Sequence, residues 1–298
     1  MELEAGLLQR AATVSPKFLY DKLGSALFSA ITELPEYYPT RTEAAILEKC
    51  LPEIAEALRP GLTLIDLGAG DCSKASQLLE PLKASRYVAI DISEAHLRLS
   101  VTALQARFES VPMVGVAMDF SRKLALPQGL VEGPALVFYP GSSIGNFAPA
   151  EAFELLRQAH HLSQGGALLI GADLLKPVEV LQAAYDDAIG VTSAFNLNLL
   201  SHANRILGSD FQARDWRHLS IFNAHESRIE MHLEARRELL VRWPGHQRPF
   251  FAGERIHTES SYKWTSGAFQ SLLRDAGWRH VRRWSDPREW FGVFLAQA

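Results

Sequence analysis

Leu64-Ile-Asp-Leu-Gly-Ala-Gly70 is the stretch whose reading decides the fold. A short apolar strand, Leu62–Leu67, runs straight into a glycine turn, and a helix begins at about Ser73. Glycines at such a turn let backbone N–H groups come close to a ligand. Reading outward, the same unit repeats. Tyr87–Ile90 is a second strand ending in Asp91, after which Ser93 caps a helix over Glu94–Arg107. Val111–Met118 is a third strand ending in Asp119, and Ala135–Tyr139 a fourth that runs into Pro140-Gly-Ser-Ser-Ile-Gly-Asn146. Glu151–His161 is a helix and Ala167–Ala172 a fifth strand. Short apolar strands alternating with helices predict a doubly wound parallel sheet, hence an α/β fold.

The alternation stops near Leu175. Residues 176–265 hold two helical stretches, Glu179–Ile189 and Ser193–Leu207, then alternating segments such as Arg228-Ile-Glu-Met-His-Leu233. They predict a separate, mixed α+β lobe. A helix over Ala268–Ala276 and two strands, Val281–Trp284 and Trp290–Leu295, then complete the sheet with an antiparallel edge pair. The first forty residues look helical up to a break at Leu34-Pro-Glu-Tyr-Tyr-Pro39. Thr40 is placed to cap a helix with Ala44, Leu47 and Leu51 inward, and Pro52 to restart it as a second short helix. The expected organisation is a Rossmann-like domain (41–175, completed by 266–298), interrupted by a substrate lobe made of 176–265 and the N-terminal 1–40.

The strand ends carry the chemistry. The third glycine of a GxGxxG turn is absent, because Ser73 stands there, which weakens a dinucleotide reading. Asp91, 21 residues beyond Gly70, is placed to accept both ribose hydroxyls. Asp119 suits an adenine amino group and Phe120 a ring face. A GxG turn alone also fits a tight βα turn with no ligand. With acids ending the second and third strands, an adenosine site is the better reading. No pyrophosphate need be held at the missing glycine, which suits S-adenosylmethionine (AdoMet). Lys74 is placed either for that cofactor's carboxylate or as a solvated first-turn lysine.

Composition narrows the rest. The chain has 298 residues, is 47% hydrophobic and 21% charged, and carries a formal charge of −4. The core can be large, and no basic excess advertises a nucleic-acid partner. Cys50 and Cys72 are the only cysteines, too few for a disulfide framework or a four-cysteine zinc site. Ten histidines are scattered; His160 and His161 face different ways on a helix, and His225 and His232 lack HExxH spacing, so no metal is expected. The N-terminus has no signal-peptide pattern and no run of about 18 apolar residues occurs. A cytoplasmic protein with no membrane partner, monomeric by default, is expected.

Five further stretches carry a resemblance: Tyr20-Asp-Lys-Leu-Gly-Ser-Ala-Leu-Phe28; Leu34-Pro-Glu-Tyr-Tyr-Pro-Thr-Arg-Thr-Glu43; Gly141-Ser-Ser-Ile-Gly-Asn146; Ala184-Tyr-Asp-Asp-Ala-Ile-Gly-Val-Thr192 with Ala194-Phe-Asn196; and Thr258-Glu-Ser-Ser-Tyr-Lys263. In this order, over nearly the whole chain, they resemble the AdoMet-dependent L-histidine Nα-methyltransferases of ergothioneine biosynthesis. Those enzymes form hercynine, the Nα-trimethyl betaine of histidine, by three successive transfers and release S-adenosylhomocysteine. The resemblance implies a class I methyltransferase sheet. It places Gly68, Gly70, Lys74, Asp91, Asp119 and Phe120 at the cofactor. It gives Asn146 and Tyr185 the substrate carboxylate, Glu259 and Ser261 the imidazole with Tyr37 beside it, and Tyr20 a place near the amine. The chain departs from the family in a short N-terminal stretch and in Ser260, where an aliphatic residue is common.

The chemistry agrees with these roles. Methyl transfer to nitrogen is an in-line displacement, so fixing both ends of the substrate aims its lone pair, and such positioning supplies roughly 7–11 kcal/mol. An α-amino group has a reference pKa of about 8, so no obligatory base is expected. Taken singly, Tyr37 and Tyr185 also suit core packing, Asn146 a turn, and Glu259 a solvated surface. Asp186 and Asp187 suit loop anchoring better than acid–base work. Two other functions compete: an N-methyltransferase for another amino acid such as tryptophan, and an AdoMet-binding module without activity.

Overall fold

The computed structural model describes all residues, 1–298. It divides into two compact units, one of residues 1–40 and 176–263, the other of 41–175 and 264–298.

The larger unit is built on a seven-stranded sheet. Its order is Arg279–Ser285, Phe291–Gln297, Ala167–Asp173, Ala135–Tyr139, Thr63–Leu67, Arg86–Asp91, Met113–Ala117. The last five of these run parallel, and Phe291–Gln297 is antiparallel to both its neighbours. The C-terminal pair therefore closes one edge, as the sequence predicts. Strands so apolar on both faces need cover on both. On one face Leu64, Tyr87, Ala89, Leu136, Phe138 and Leu169 pack with Ile46, Ile54, Leu78 and Leu97. On the other Ile65, Val88, Ile90, Val137 and Ile170 pack with Leu155, Leu156, Phe269 and Leu273.

Pro52 does not restart a helix: Tyr38–Ala57 is continuous, with Pro52 inside it and no cap at Thr40. Proline forfeits one backbone bond in a helix interior. Burial of Ile46, Leu47, Cys50 and Ile54 on one side of the same helix offsets that loss. The third strand is also shorter than its apolar run suggests, spanning Met113–Ala117.

The smaller unit has a four-stranded sheet in the order Ala12–Thr13, Arg255–Tyr262, Arg228–Ala235, Trp216–Asn223, and a separate hairpin of Leu239–Trp243 with His246–Phe250. Helices Glu2–Leu7, Lys22–Thr32, Val178–Tyr185 and Val191–Leu207 belong to it. The N-terminal forty residues are thus not uniformly helical. Ala12–Thr13 is extended and pairs in parallel with Ile256 and His257. The helix expected over Glu179–Ile189 ends at Tyr185. Asp187 stops it by turning back onto the next helix, where its carboxylate accepts Val191 N–H at 2.9 Å and Thr192 N–H at 2.7 Å. Asp187 thus takes the loop-anchoring role.

Candidate active site

In the larger unit the candidate cofactor residues meet at the C-terminal ends of the parallel strands. Gly68 and Gly70 have φ of +71° and +53°, and a Cβ built on either meets nothing within 4 Å. The space above this turn is open, and a side chain would stand in it. The turn is tied to the neighbouring strand: Gly68 and Ala69 donate to Ile90 O at 2.8 and 3.0 Å. Asp91 then locks it, Oδ2 accepting Gly70 N–H at 3.0 Å and Oδ1 accepting Ser93 N–H at 2.9 Å. Asp119 accepts Ser121 N–H at 3.1 Å, and Phe120 lies edge-on to Tyr139 at 5.8 Å.

Lys74 is not a free surface cation. Its Nζ lies 2.6 Å from Glu43 Oε2, and Glu43 is 1% exposed. Glu43 Oε1 also accepts Gly141 N–H at 2.8 Å, so one carboxylate joins the long helix, the Lys74 helix and the turn leading to Asn146. Asn146 ends a short 3-10 turn, Ser143–Asn146, and is half-buried. Ser142 anchors that turn by accepting Asp173 N–H on Oγ at 2.7 Å.

Asp66, inside the deciding stretch, is the residue that strand patterning hides. It is 2% exposed, Oδ2 accepts the Tyr87 hydroxyl at 2.8 Å, and Oδ1 is buried with no partner. Burial pushes its carboxyl up to about 7, against the Tyr87 hydrogen bond and the Lys74 charge. An orphaned acceptor beside an open glycine turn fits a cationic ligand such as AdoMet. These residues therefore fit the cofactor, with Asp91 and Asp119 at hand for polar edges and Lys74 for a carboxylate.

Four of the candidate substrate residues, Tyr37, Tyr185, Glu259 and Ser261, lie in the smaller unit, whereas Asn146 belongs to the larger one. Tyr37 and Tyr185 sit edge to face at 6.4 Å, and Phe28 links Tyr37 to Tyr20 at 6.2 and 5.5 Å. Glu259 and Ser261 lie two apart on the strand Arg255–Tyr262, so they share a face. Glu259 is 8% exposed and its Oε2 is buried without a partner. Burial pushes its carboxyl up to about 7, against the attraction of Lys263.

Sequence reasoning puts Tyr185 and Ser261 at opposite ends of the substrate. In the structure their oxygens lie 2.7 Å apart, the Tyr185 hydroxyl donating to Ser261 Oγ, so the two expected subsites adjoin. Lys263, 3% exposed, completes a triangle, donating to Ser261 Oγ at 2.7 Å and to the Tyr185 oxygen at 3.1 Å. Tyr185 is held from behind as well. His218 Nε2 pairs with Tyr185 O at 2.8 Å, and Asn196 Nδ2 with His218 Nδ1 at 2.9 Å. Burial lowers the pKa of His218. A neutral ring donating from Nε2 and accepting at Nδ1 satisfies both contacts. Lys263, Glu43 and Asn196 all stand inside the motifs quoted above; nothing in linear spacing says that they face Ser261, Lys74 and His218.

Glu230, His232 and His257 bring one ligand atom each within 4.8 Å of one another. Linear spacing does not announce this, because His257 comes from the neighbouring strand, in register with His232. The cluster is already paired. Arg228 reaches Glu230 Oε1 at 2.7 Å, His232 Nε2 meets Glu230 Oε2 at 2.9 Å, and His257 Nε2 meets Glu259 O at 2.9 Å. The guanidinium already supplies the cation that the carboxylate would otherwise hold.

Comparison with known proteins accords with this geometry. A family profile described as histidine-specific methyltransferase, SAM-dependent, matches residues 1–298. The chain is 39% identical to a histidine N-alpha-methyltransferase of Mycolicibacterium smegmatis, over 99% of this chain and 93% of that one. It is 38% identical to a protein of the same name from Mycobacterium tuberculosis, with the same coverage. Among solved structures, the PH0226 protein from Pyrococcus horikoshii OT3 superposes with a TM-score of 0.51 at 14% identity, covering 93% of this chain and 99% of that one. The seven-stranded sheet, with its next-to-edge C-terminal strand antiparallel to both neighbours, is the class I sheet expected of this methyltransferase family.

Proposed function

Because the chain belongs to the histidine-specific, SAM-dependent methyltransferase family, we propose that it methylates the α-amino group of L-histidine three times, giving hercynine. The observation that carries the substrate is the pair on one strand face: a buried carboxylate with an unused oxygen, Glu259, and a serine hydroxyl, Ser261, two residues on. A neutral imidazole has one N–H to give and one nitrogen to receive. Indole has only the donor, so it offers the Ser261 proton no acceptor, and phenyl answers neither Glu259 nor that proton.

AdoMet supplies a methyl group on a sulfonium, and the protein's part is positioning. Gly68 and Gly70 leave the turn open. Asp91 is proposed for the ribose, Asp119 and Phe120 for the adenine, and Lys74 for the carboxylate of the cofactor. On the substrate, Glu259 and Ser261 take the imidazole with Tyr37 beside it. Tyr185 and Asn146 take the carboxylate, and Tyr20 lies toward the amine. No side chain need act as nucleophile. The α-amine must be neutral to attack, and with a reference pKa of about 8 a fraction of it already is near pH 7. After each of the first two transfers the amine loses a proton before it attacks again, and the fixed positive charge of the trimethylated product suits the faces of Tyr20 and Tyr37.

The reading includes a small-molecule partner only, a cytoplasmic location and a monomer. The formal charge of −4 offers no basic excess for a nucleic acid, and no helix is long and apolar enough to cross a membrane. Incubating the protein with AdoMet and, separately, histidine, tryptophan and phenylalanine, followed by mass spectrometry, tests it. Histidine carrying three added methyl groups is expected. Preference for tryptophan, or AdoMet binding with no methylated product, overturns it.

A further inference from the structure

In the triangle of Tyr185, Ser261 and Lys263 the ammonium can only donate, so it takes an acceptor position on each hydroxyl it reaches. A hydroxyl has one proton and two acceptor positions, and a lysine ammonium only donates. Ser261 Oγ accepts from Tyr185 at 2.7 Å and from Lys263 at 2.7 Å. Both acceptor positions are then filled, and the Ser261 proton is left to point outward. Tyr185 oxygen also accepts from Lys263, at 3.1 Å, so the one ammonium occupies an acceptor position on each of the two hydroxyls. Lys263 itself is clamped. Its backbone N–H donates to Ser227 O at 2.8 Å, and its carbonyl accepts Ser227 Oγ at 2.9 Å. It follows directly on the strand Arg255–Tyr262 that carries Glu259 and Ser261, and its Nζ reaches Ser261 Oγ.

We propose that Lys263 is a specificity-determining positioning residue: by filling acceptor positions on Ser261 and Tyr185 it turns both hydroxyls into donors, leaving Glu259 as the acceptor of the imidazole site. This rests on the histidine reading of the same residues and deepens it. The site so polarised matches a neutral imidazole in one tautomeric sense, one N–H toward Glu259 and one bare nitrogen toward Ser261. It rejects an imidazolium, whose two N–H groups meet a donor at Ser261, and rings that lack the bare nitrogen. Removing the ammonium frees an acceptor position on Ser261. The serine can then point its proton inward, and the preference for a ring nitrogen collapses. Burial of the unpaired Glu259 oxygen makes the same ammonium the counter-charge that the carboxylate faces.

The test compares histidine with phenylalanine, which has the same amine and carboxylate but no ring nitrogen, in wild type, Lys263→Met, Ser261→Ala and the double variant. Calorimetric AdoMet affinity and a cooperative melt serve as the check that each variant is folded. Lys263→Met is expected to lower the histidine-to-phenylalanine ratio of kcat/KM by about tenfold or more. Ser261→Ala should lower it by a similar factor, and the double variant no further than either single, since lysine acts through serine. If Lys263→Met lowers both amino acids by one common factor, or if the two losses multiply in the double variant, the proposal is wrong. Should Lys263→Met not bind AdoMet, Lys263→Gln, which keeps a donor without the charge, is read in the same assay. An unchanged selectivity of Lys263→Gln supports hydroxyl polarisation, and a ratio unmoved while both rates fall equally in Ser261→Ala refutes it. The histidine reading fails separately, if wild type itself shows no preference for histidine over phenylalanine.

Discussion

Lys74 Nζ and Glu43 Oε2 lie 2.6 Å apart, with the carboxylate almost fully buried and the lysine about a third exposed. The pair reaches the cofactor side of the sheet from two helices, and the second carboxylate oxygen holds Gly141 N–H. Glu43 has this room because residue 171 is glycine: a Cβ there would come within 2.1 Å of Glu43 Oε1. A lysine so tethered is aimed before any ligand arrives.

With Lys74 proposed for the AdoMet carboxylate, Glu43 is proposed to act on the cofactor through Lys74. Removing one partner of a largely buried pair leaves the other short of compensation. With Lys74 partly solvated, Lys74→Met should cost about 1–3 kcal/mol of stability, below the range for fully buried pairs. Glu43→Gln should weaken AdoMet binding while leaving Lys74 in place, and Gly171→Ala should do the same by displacing the carboxylate. Calorimetry on the three variants checks this. AdoMet affinity unchanged in all of them means that the pair only holds the fold.

Asp91 has a double duty that predicts a graded series. Its carboxylate closes the glycine turn through Gly70 and Ser93, and the ribose is proposed on its remaining acceptor capacity. Asp91→Ala should weaken AdoMet binding by about 1–3 kcal/mol, the range for charge-assisted hydrogen bonds. Asp91→Asn keeps one carbonyl acceptor and should lose less. Equal affinity in wild type and both variants would place the ribose elsewhere.

Strand and helix order were legible because short apolar runs ending in Gly or Asp alternate with helical segments along the larger unit. Elements set by contacts far along the chain were not. Nothing near Ala12–Thr13 says that it is a strand, since its partner is Ile256–His257. Pro52 reads as a break locally, and only the buried face of its helix keeps that helix whole. The site divides the same way. Glu259 and Ser261 are readable as a pair because they are two apart. Lys263 carries no signal of its own until Tyr185 is folded against it. Glu43 and Asp66 lie on apolar faces where a carboxylate looks like an interruption, and their partners Lys74 and Tyr87 come from other elements.

Glu259→Ala tests the imidazole end. A site built to satisfy polar ring atoms rejects an apolar ring because its own groups are left unpaired. Removing the carboxylate should lower kcat/KM for histidine by about tenfold to a few hundredfold, roughly 1.4–3.3 kcal/mol. Phenylalanine and tryptophan should lose less. Residual histidine turnover should persist, because Asn146 and Tyr185 are untouched. A single factor common to all three amino acids would place Glu259 at the amine or carboxylate end, or in the fold alone.

The pH dependence of stability tests the burial of Glu259 independently of activity. Its folded pKa is raised to about 7 by burial, whereas an unfolded glutamate titrates near 4.3. The folded state therefore holds the proton more tightly. By linkage its contribution to stability is fully present below about pH 4.3 and is lost as pH rises through about 7. Glu259→Gln has no such titration. The stability of wild type relative to Glu259→Gln should fall across pH 4.5 to 7 by up to about 3 kcal/mol, and then level off. Asp66 titrates in the same window for the same reason, but it is common to both proteins and drops out of the difference. Denaturant melts of the two proteins from pH 4.5 to 8 measure that difference directly. A gap that stays constant with pH would mean that Glu259 ionises as an ordinary carboxyl, and the buried, unpaired acceptor proposed for the imidazole N–H would be lost with it.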